Sequence, residues 1–127
     1  MIVRGLRHNA GMEIWHNPRC TKSRAAKKAL DEAGTGYTER RYLDTPPTVA
    51  ELTEVLGKLG REPWDITRTK EPVAKELGLA GLPRDAANRD RWIELLAEHP
   101  VLIQRPILID RETAVVGRDE ASLREIL

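Results

Sequence analysis

Between Leu52 and Leu59 the apolar residues fall at Leu52, Val55, Leu56 and Leu59, the spacing of one helical face. Thr48 and Glu51, three residues apart, form a capping-box pattern that opens this helix. The same period runs through Ala26, Ala29, Leu30 and Ala33, predicting a helix from Thr21 to Ala33 that Gly34 can end. Trp92, Leu95 and Leu96 share one side of a further helix over Arg89 to Glu98. Shorter helical pieces are predicted from Pro63 and over Val73 to Leu77, and Asp119 can cap a last helix ending in Leu123, Ile126 and Leu127. Strand-like runs cover Glu13 to His16, Tyr37 to Leu43, Pro106 to Ile109 and Thr113 to Val116. The last two are joined by the polar turn Asp110-Arg111-Glu112.

The order is strand, helix, strand, a helical insert, then strand, strand, helix. A βαβ unit followed by a ββα unit, with a cysteine where the first strand meets the first helix, predicts an α/β thioredoxin-like (glutaredoxin-like) fold. Its sheet is expected to be mixed, because the hairpin adds an antiparallel pair. With 127 residues the chain is expected to form one domain over residues 12–127. Residues 1–11 read as a disordered leader. They carry Arg4 and Arg7 but lack the apolar centre and cleavage site of a secretory signal.

Charge and cysteine usage narrow the classes of function. Basic and acidic side chains nearly cancel, for a net charge of +1, so nothing global calls for nucleic acid or an anionic membrane as partner. No apolar run approaches the ~20 residues of a membrane helix. With one cysteine the chain cannot form an internal disulfide, which points to the cytoplasm. A monomer is expected. The single cysteine and the scattered His8, His16 and His99 speak against a structural zinc site.

That cysteine, Cys20, lies in His16-Asn17-Pro18-Arg19-Cys20-Thr21-Lys22-Ser23-Arg24. A thiol reacts as thiolate, and a helix N-terminus favours the thiolate through unpaired N–H groups and the dipole. Arg19, Lys22 and Arg24 add positive charge nearby, and the same donors can hold an oxyanion beside the sulfur. Free cysteines are often merely small buried residues. The basic, proline-interrupted setting of Cys20 suits function better. Ser23 stands where a C-x-x-C motif would place its second thiol, so a two-thiol cycle within this motif is excluded. Ala26 stands where the loop of low-molecular-weight phosphatases requires arginine.

The stretch from His16 to Arg24 resembles the active-site motif of the glutaredoxin-linked arsenate reductases. The likeness continues through Tyr42 to Thr48, Arg68 to Glu71, Glu76 to Leu79 and His99 to Ile107, and it covers Met12 to Leu127. The resemblance implies that Cys20 is the nucleophile, that His16 assists its thiolate, and that Arg68, Arg105 and Arg118 bind the oxyanion. Asn17, Thr21, Ser23, Arg24 and Pro106 take supporting places, Pro106 as the cis-proline facing the cysteine. It further implies no tightly bound cofactor, glutathione or another low-molecular-weight thiol as co-substrate, and a glutaredoxin-type reductant as partner. Arginine suits a tetrahedral dianion independently, since guanidinium groups bind its oxygens two at a time and offset repulsion from an attacking thiolate. Two other readings stand beside this one. The first is a related thiol/disulfide oxidoreductase without arsenate activity. The second is a Spx-like regulator that binds RNA polymerase; such regulators commonly carry C-x-x-C, which Ser23 disfavours here.

Overall fold

The computed structural model describes residues 11–127, so the leader expected over 1–11 lies outside it except for Gly11. The described chain forms two compact units. One comprises residues 11–45 and Arg105–Leu127, the other Pro46–Gln104. Where the sequence pattern reads as one domain over 12–127, the chain leaves the first unit after Thr45 and returns at Arg105.

The first unit contains β1 (Glu13–Trp15), α1 (Thr21–Glu32), β2 (Thr38–Arg40), β3 (Ile107–Ile109), β4 (Ala114–Val116) and α5 (Glu120–Ile126). Its strands lie in the order β2-β1-β3-β4. β1 runs parallel to β2, and the β1–β3 and β3–β4 pairs are antiparallel, so the sheet is mixed as the element order predicts. The register aligns Ile14 with Leu108 and Leu108 with Val115, which puts a row of apolar side chains on one face. Ala26 and Leu30 of α1, Ile126 of α5 and Met12 pack onto that row to make the core. α1 is capped at Ala33 and leaves the helix through Gly34 in the left-handed region. Asp119 caps α5 by accepting a bond from the Ser122 N–H at 2.7 Å.

Two details of this unit shape the site. β2 stops at Arg40, short of the expected Leu43. The Asp44 and Thr45 N–H groups both donate to the Arg41 carbonyl at 3.0 Å, so the backbone turns there instead of continuing the ladder. At the other edge, Gly117 donates to the Pro106 carbonyl at 2.9 Å. A Cβ at Gly117 would come within 2.7 Å of Leu108 Cδ1, so a larger residue there would have to displace Leu108 as the end of β4 closes against β3.

The second unit is helical: α2 (Val49–Leu59), a 3-10 turn Pro63–Ile66, α3 (Pro72–Glu76), two further short 3-10 turns, α4 (Arg89–Glu98) and a last 3-10 turn, Pro100–Leu102. The capping box of α2 forms as the sequence predicts, with Glu51 N–H donating to Thr48 Oγ1 at 3.1 Å and Thr48 N–H to Glu51 Oε1 at 3.0 Å. α2 buries Leu52, Val55 and Leu56, and packs against α4, which buries Trp92, Ile93, Leu95 and Leu96. Trp64 meets Trp92 edge-on, with centroids 6.1 Å apart, and Trp92 Nε1 donates to the Pro83 carbonyl at 2.9 Å. No helix among the described residues is long and apolar enough to cross a membrane.

Candidate active site

The turn before Cys20 follows from its sequence. Asparagine at the first position and proline at the second favour a β-turn, and the Cys20 N–H closes it onto the Asn17 carbonyl at 3.0 Å. Asn17 Oδ1 accepts from the Arg19 N–H at 2.9 Å and stiffens the same turn. Cys20 then takes an extended conformation as the N-cap of α1, and its carbonyl accepts the first helical bond, from Arg24 N–H at 3.0 Å. Arg24 reaches back, donating to the Pro18 carbonyl at 2.9 Å and to Thr21 Oγ1 at 3.4 Å. Turn and helix start are thereby clipped together.

Cys20 is 9% exposed, yet it is no part of the apolar core of its unit. Burial pushes its pKa up. The Ser23 N–H, the Arg105 guanidinium and the Lys22 N–H push it down, and with the Arg105 charge they prevail, leaving the thiol below its ordinary value. The sulfur closes no side-chain capping bond, so the two backbone donors act on it as oriented dipoles.

Ser23 is fully buried and joins both sides of the cysteine. Its Oγ accepts from the Asn17 N–H at 3.0 Å and lies 2.6 Å from His16 Nδ1. Burial lowers the pKa of His16 against the opposing pull of Glu39, and Lys27, Arg41 and Arg24 lower it further. A neutral ring is thus favoured at pH 7, and we assign the tautomer in which Nδ1 accepts from the Ser23 hydroxyl. His16 is thus joined to Ser23, the third residue of α1, whose N–H is one of the groups that lower the Cys20 pKa.

The β3 side supplies two of the three arginines. The Arg105–Pro106 peptide is cis, as the resemblance implies. The half-buried Arg105 side chain lies against Cys20, and its Nε is shut from water with no acceptor. Arg118 Nη1 donates to the Arg105 carbonyl at 2.7 Å. Cys20, Arg105 and Arg118 are therefore linked within the first unit. Arg68 belongs to the second unit, where it pairs with Glu71 Oε2 at 3.2 Å and donates through Nη1 to Gln104 Oε1 at 3.0 Å. Its N–H bonds the Leu102 carbonyl at 2.7 Å, beside the Thr67–Ile103 bridge.

Two residues near these groups escape sequence reasoning. Gln104 holds Arg68, but a glutamine before an arginine carries no signal of that kind. Glu39 accepts from Lys27 Nζ at 2.7 Å and from Arg41 Nε at 3.0 Å, and these partners lower its pKa to about 2. Three charges at 27, 39 and 41 read from the sequence as a solvated surface, because nothing in their spacing shows that β2 sets them against α1.

Fold and site together define a thioredoxin-like protein with one activated thiol, opposed by an arginine on the loop that opens β3. Comparison with known proteins agrees: the model of the ArsC family matches residues 15–126, and the chain belongs to that family. It is 56% identical over 117 residues to an uncharacterized protein in the glnII region of Streptomyces viridochromogenes, covering 91% of this chain and 98% of that one. It is 39% identical to an arsenate reductase of Neisseria meningitidis, over 91% of this chain and 97% of the relative. Among solved structures, an arsenate reductase from Vibrio cholerae superposes with a TM-score of 0.83 at 37% identity, covering 91% of this chain and 97% of the other.

Proposed function

We propose that this protein reduces arsenate to arsenite in the cytoplasm through a thiol–arsenate adduct on Cys20. The observation that carries the reading is the Arg105 guanidinium beside a thiol of lowered pKa, with a buried Nε that has no acceptor. A buried unsatisfied donor costs about 1–3 kcal/mol, which a bound oxyanion offsets by accepting from it. The relatives named arsenate reductase support the choice of arsenate. Arg118, linked to Arg105 within the first unit, is a second guanidinium offered to the ion, and the family resemblance adds Arg68 as an oxyanion-binding residue.

The Cys20 sulfur attacks arsenic, forming an S–As bond as an As–O bond breaks and water leaves. An external thiol, glutathione or another low-molecular-weight thiol, then attacks the Cys20 sulfur. The S–As bond breaks with its electron pair passing to arsenic, arsenite departs, and Cys20 remains in a mixed disulfide. Two thiols have lost the two electrons that arsenic gained. The chain has no second cysteine to close a disulfide of its own, so a glutaredoxin-type reductant regenerates the thiol by exchange. The test is arsenate-dependent NADPH consumption by the purified protein with each reductant system supplied separately. Turnover is expected with glutathione and glutaredoxin, and a mixed disulfide at Cys20 by mass spectrometry. Full activity with thioredoxin alone, or consumption independent of arsenate, overturns the reading.

A further inference from the structure

We propose that the basic pocket along the outer stripe of α1 binds the carboxylates of a small peptide thiol, the co-substrate that attacks at Cys20. The proposal rests on the external-thiol step above and adds to it a location and the carboxylates by which the thiol is held. A cavity of about 360 Å³ opens beside α1, with Pro18, Arg24, Lys27, Lys28 and Arg41 in its lining and His16 and Asp31 completing it. That volume lies within the range of small-molecule sites.

Helix geometry connects the pocket to the thiol. Positions 24, 27, 28 and 31 continue the stripe that begins at residue 20, because residues three and four apart on a helix are neighbours. At 1.5 Å per residue, Arg24 lies about 6 Å and Lys28 about 12 Å along the axis from Cys20. From the other side, Pro18 belongs to the turn that Cys20 closes onto Asn17, which keeps the two ends of that turn within about 7 Å. An extended tripeptide spans at most about 10 Å, so a peptide whose thiol meets Cys20 brings a carboxylate to the level of Arg24, and the long Lys28 side chain, which leans toward the helix N-terminus, reaches back to meet it.

The charge balance selects the ligand. Lys27 and Arg41 share the Glu39 carboxylate, and Asp31 accepts from Tyr37 Oη at 2.6 Å. Four cations against these two carboxylates leave the pocket two positive charges in excess. Arg24 is engaged with Pro18 and Thr21, and Lys28 is exposed on the stripe. A peptide thiol with two carboxylates and one ammonium, net charge −1, is drawn by that excess, and the uncharged end of a simple alkyl thiol is not.

The probe is S-methylglutathione, whose blocked sulfur prevents reaction, titrated calorimetrically into the intact protein without arsenate. Binding is expected, weakening as salt rises. It should be lost for the diethyl ester and weakened about tenfold by Lys28→Glu, with Lys28→Gln in between. Lys28 is exposed on a helix, and circular dichroism of each variant checks its folding. In turnover, Lys28→Glu should raise KM for glutathione more than KM for 2-mercaptoethanol. Absence of binding, equal binding of acid and ester, or equal affinity in wild type and Lys28→Glu overturns the pocket. An effect of Lys28→Glu on glutaredoxin alone makes the surface a protein-docking site and overturns it too. Because the probe needs neither arsenate nor turnover, failure of the pocket and failure of the arsenate reading are seen separately.

Discussion

The segment around Cys20 and the helices of the second unit are held by different physics. From His16 to Arg24, order comes from short polar bonds: Asn17 to Arg19, Ser23 to both Asn17 and His16, Arg24 back to Pro18. In the second unit it comes from apolar faces, with Leu52, Val55 and Leu56 of α2 and Trp92, Leu95 and Leu96 of α4 buried. Apolar burial is non-directional and tolerates small adjustments. A polar bracket fixes positions to tenths of an ångström, but it fails when one member is lost, because the partners left behind are buried and unsatisfied. The thiol sits in the region built for position.

Substitutions can break or sharpen that contrast. Trp92→Ala removes the largest fully buried side chain of the second unit, with its edge contact to Trp64, and should lower unfolding stability by about 3–5 kcal/mol in urea titration. A loss below 1 kcal/mol would mean that the helices depend on something other than burial. Arg105→Lys keeps charge but removes the two-pronged geometry beside Cys20. Arsenate turnover should fall about 10²–10³-fold with unfolding unchanged, and unaltered turnover sinks the assignment of Arg105. Ser23→Ala should destabilise by about 1–3 kcal/mol, far more than one hydroxyl on a surface, since the Asn17 N–H and His16 Nδ1 lose their partner. A neutral result would show that water replaces the hydroxyl and that the bracket is soft.

The smallest effect concerns Cys20 itself. Alkylation rate against pH should give a midpoint below that of a free thiol. The sign for stability follows. The folded pKa lies below the unfolded one, so this contribution is fully present above the unfolded pKa and is lost as pH falls through the folded value. Arg105→Lys should move the midpoint upward if the guanidinium geometry contributes. A midpoint at the ordinary value would remove the physical basis for an activated thiol.

The two regions were not equally legible in the sequence. α2 is readable because its capping box and apolar face are local, and the structure realises both. β3 and β4 are readable from their apolar runs and the polar turn between them. The end of β2 is not, because the turn that stops it at Arg40 is made by backbone bonds onto Arg41, which side-chain alternation does not encode. Within the site, Cys20 stands out from its local motif, and the cis peptide at Pro106 follows from the family resemblance. The bond of Arg118 to the Arg105 carbonyl, 13 positions away, depends on the β3–β4 hairpin closing at Gly117. The link between His16 and Ser23 belongs to no periodicity: one ends a strand, the other lies in the first turn of a helix, and only the Asn17–Cys20 turn brings them together.

Ser23 also constrains how this lineage can change its chemistry. Serine and cysteine codons are one base apart, so a second thiol three residues after the first is an easily reached mutation. At this position the newcomer would have to accept from Asn17 at 3.0 Å and sit 2.6 Å from His16, distances made for oxygen. Sulfur is larger and a weaker hydrogen-bonding group, so the pocket would open or the bonds would lapse. If the proposed external-thiol cycle holds, a move to a built-in second thiol needs compensating change at His16 or Asn17 first. On the proposed mechanism, the Ser23 oxygen is an evolutionary latch that keeps the chain at one thiol.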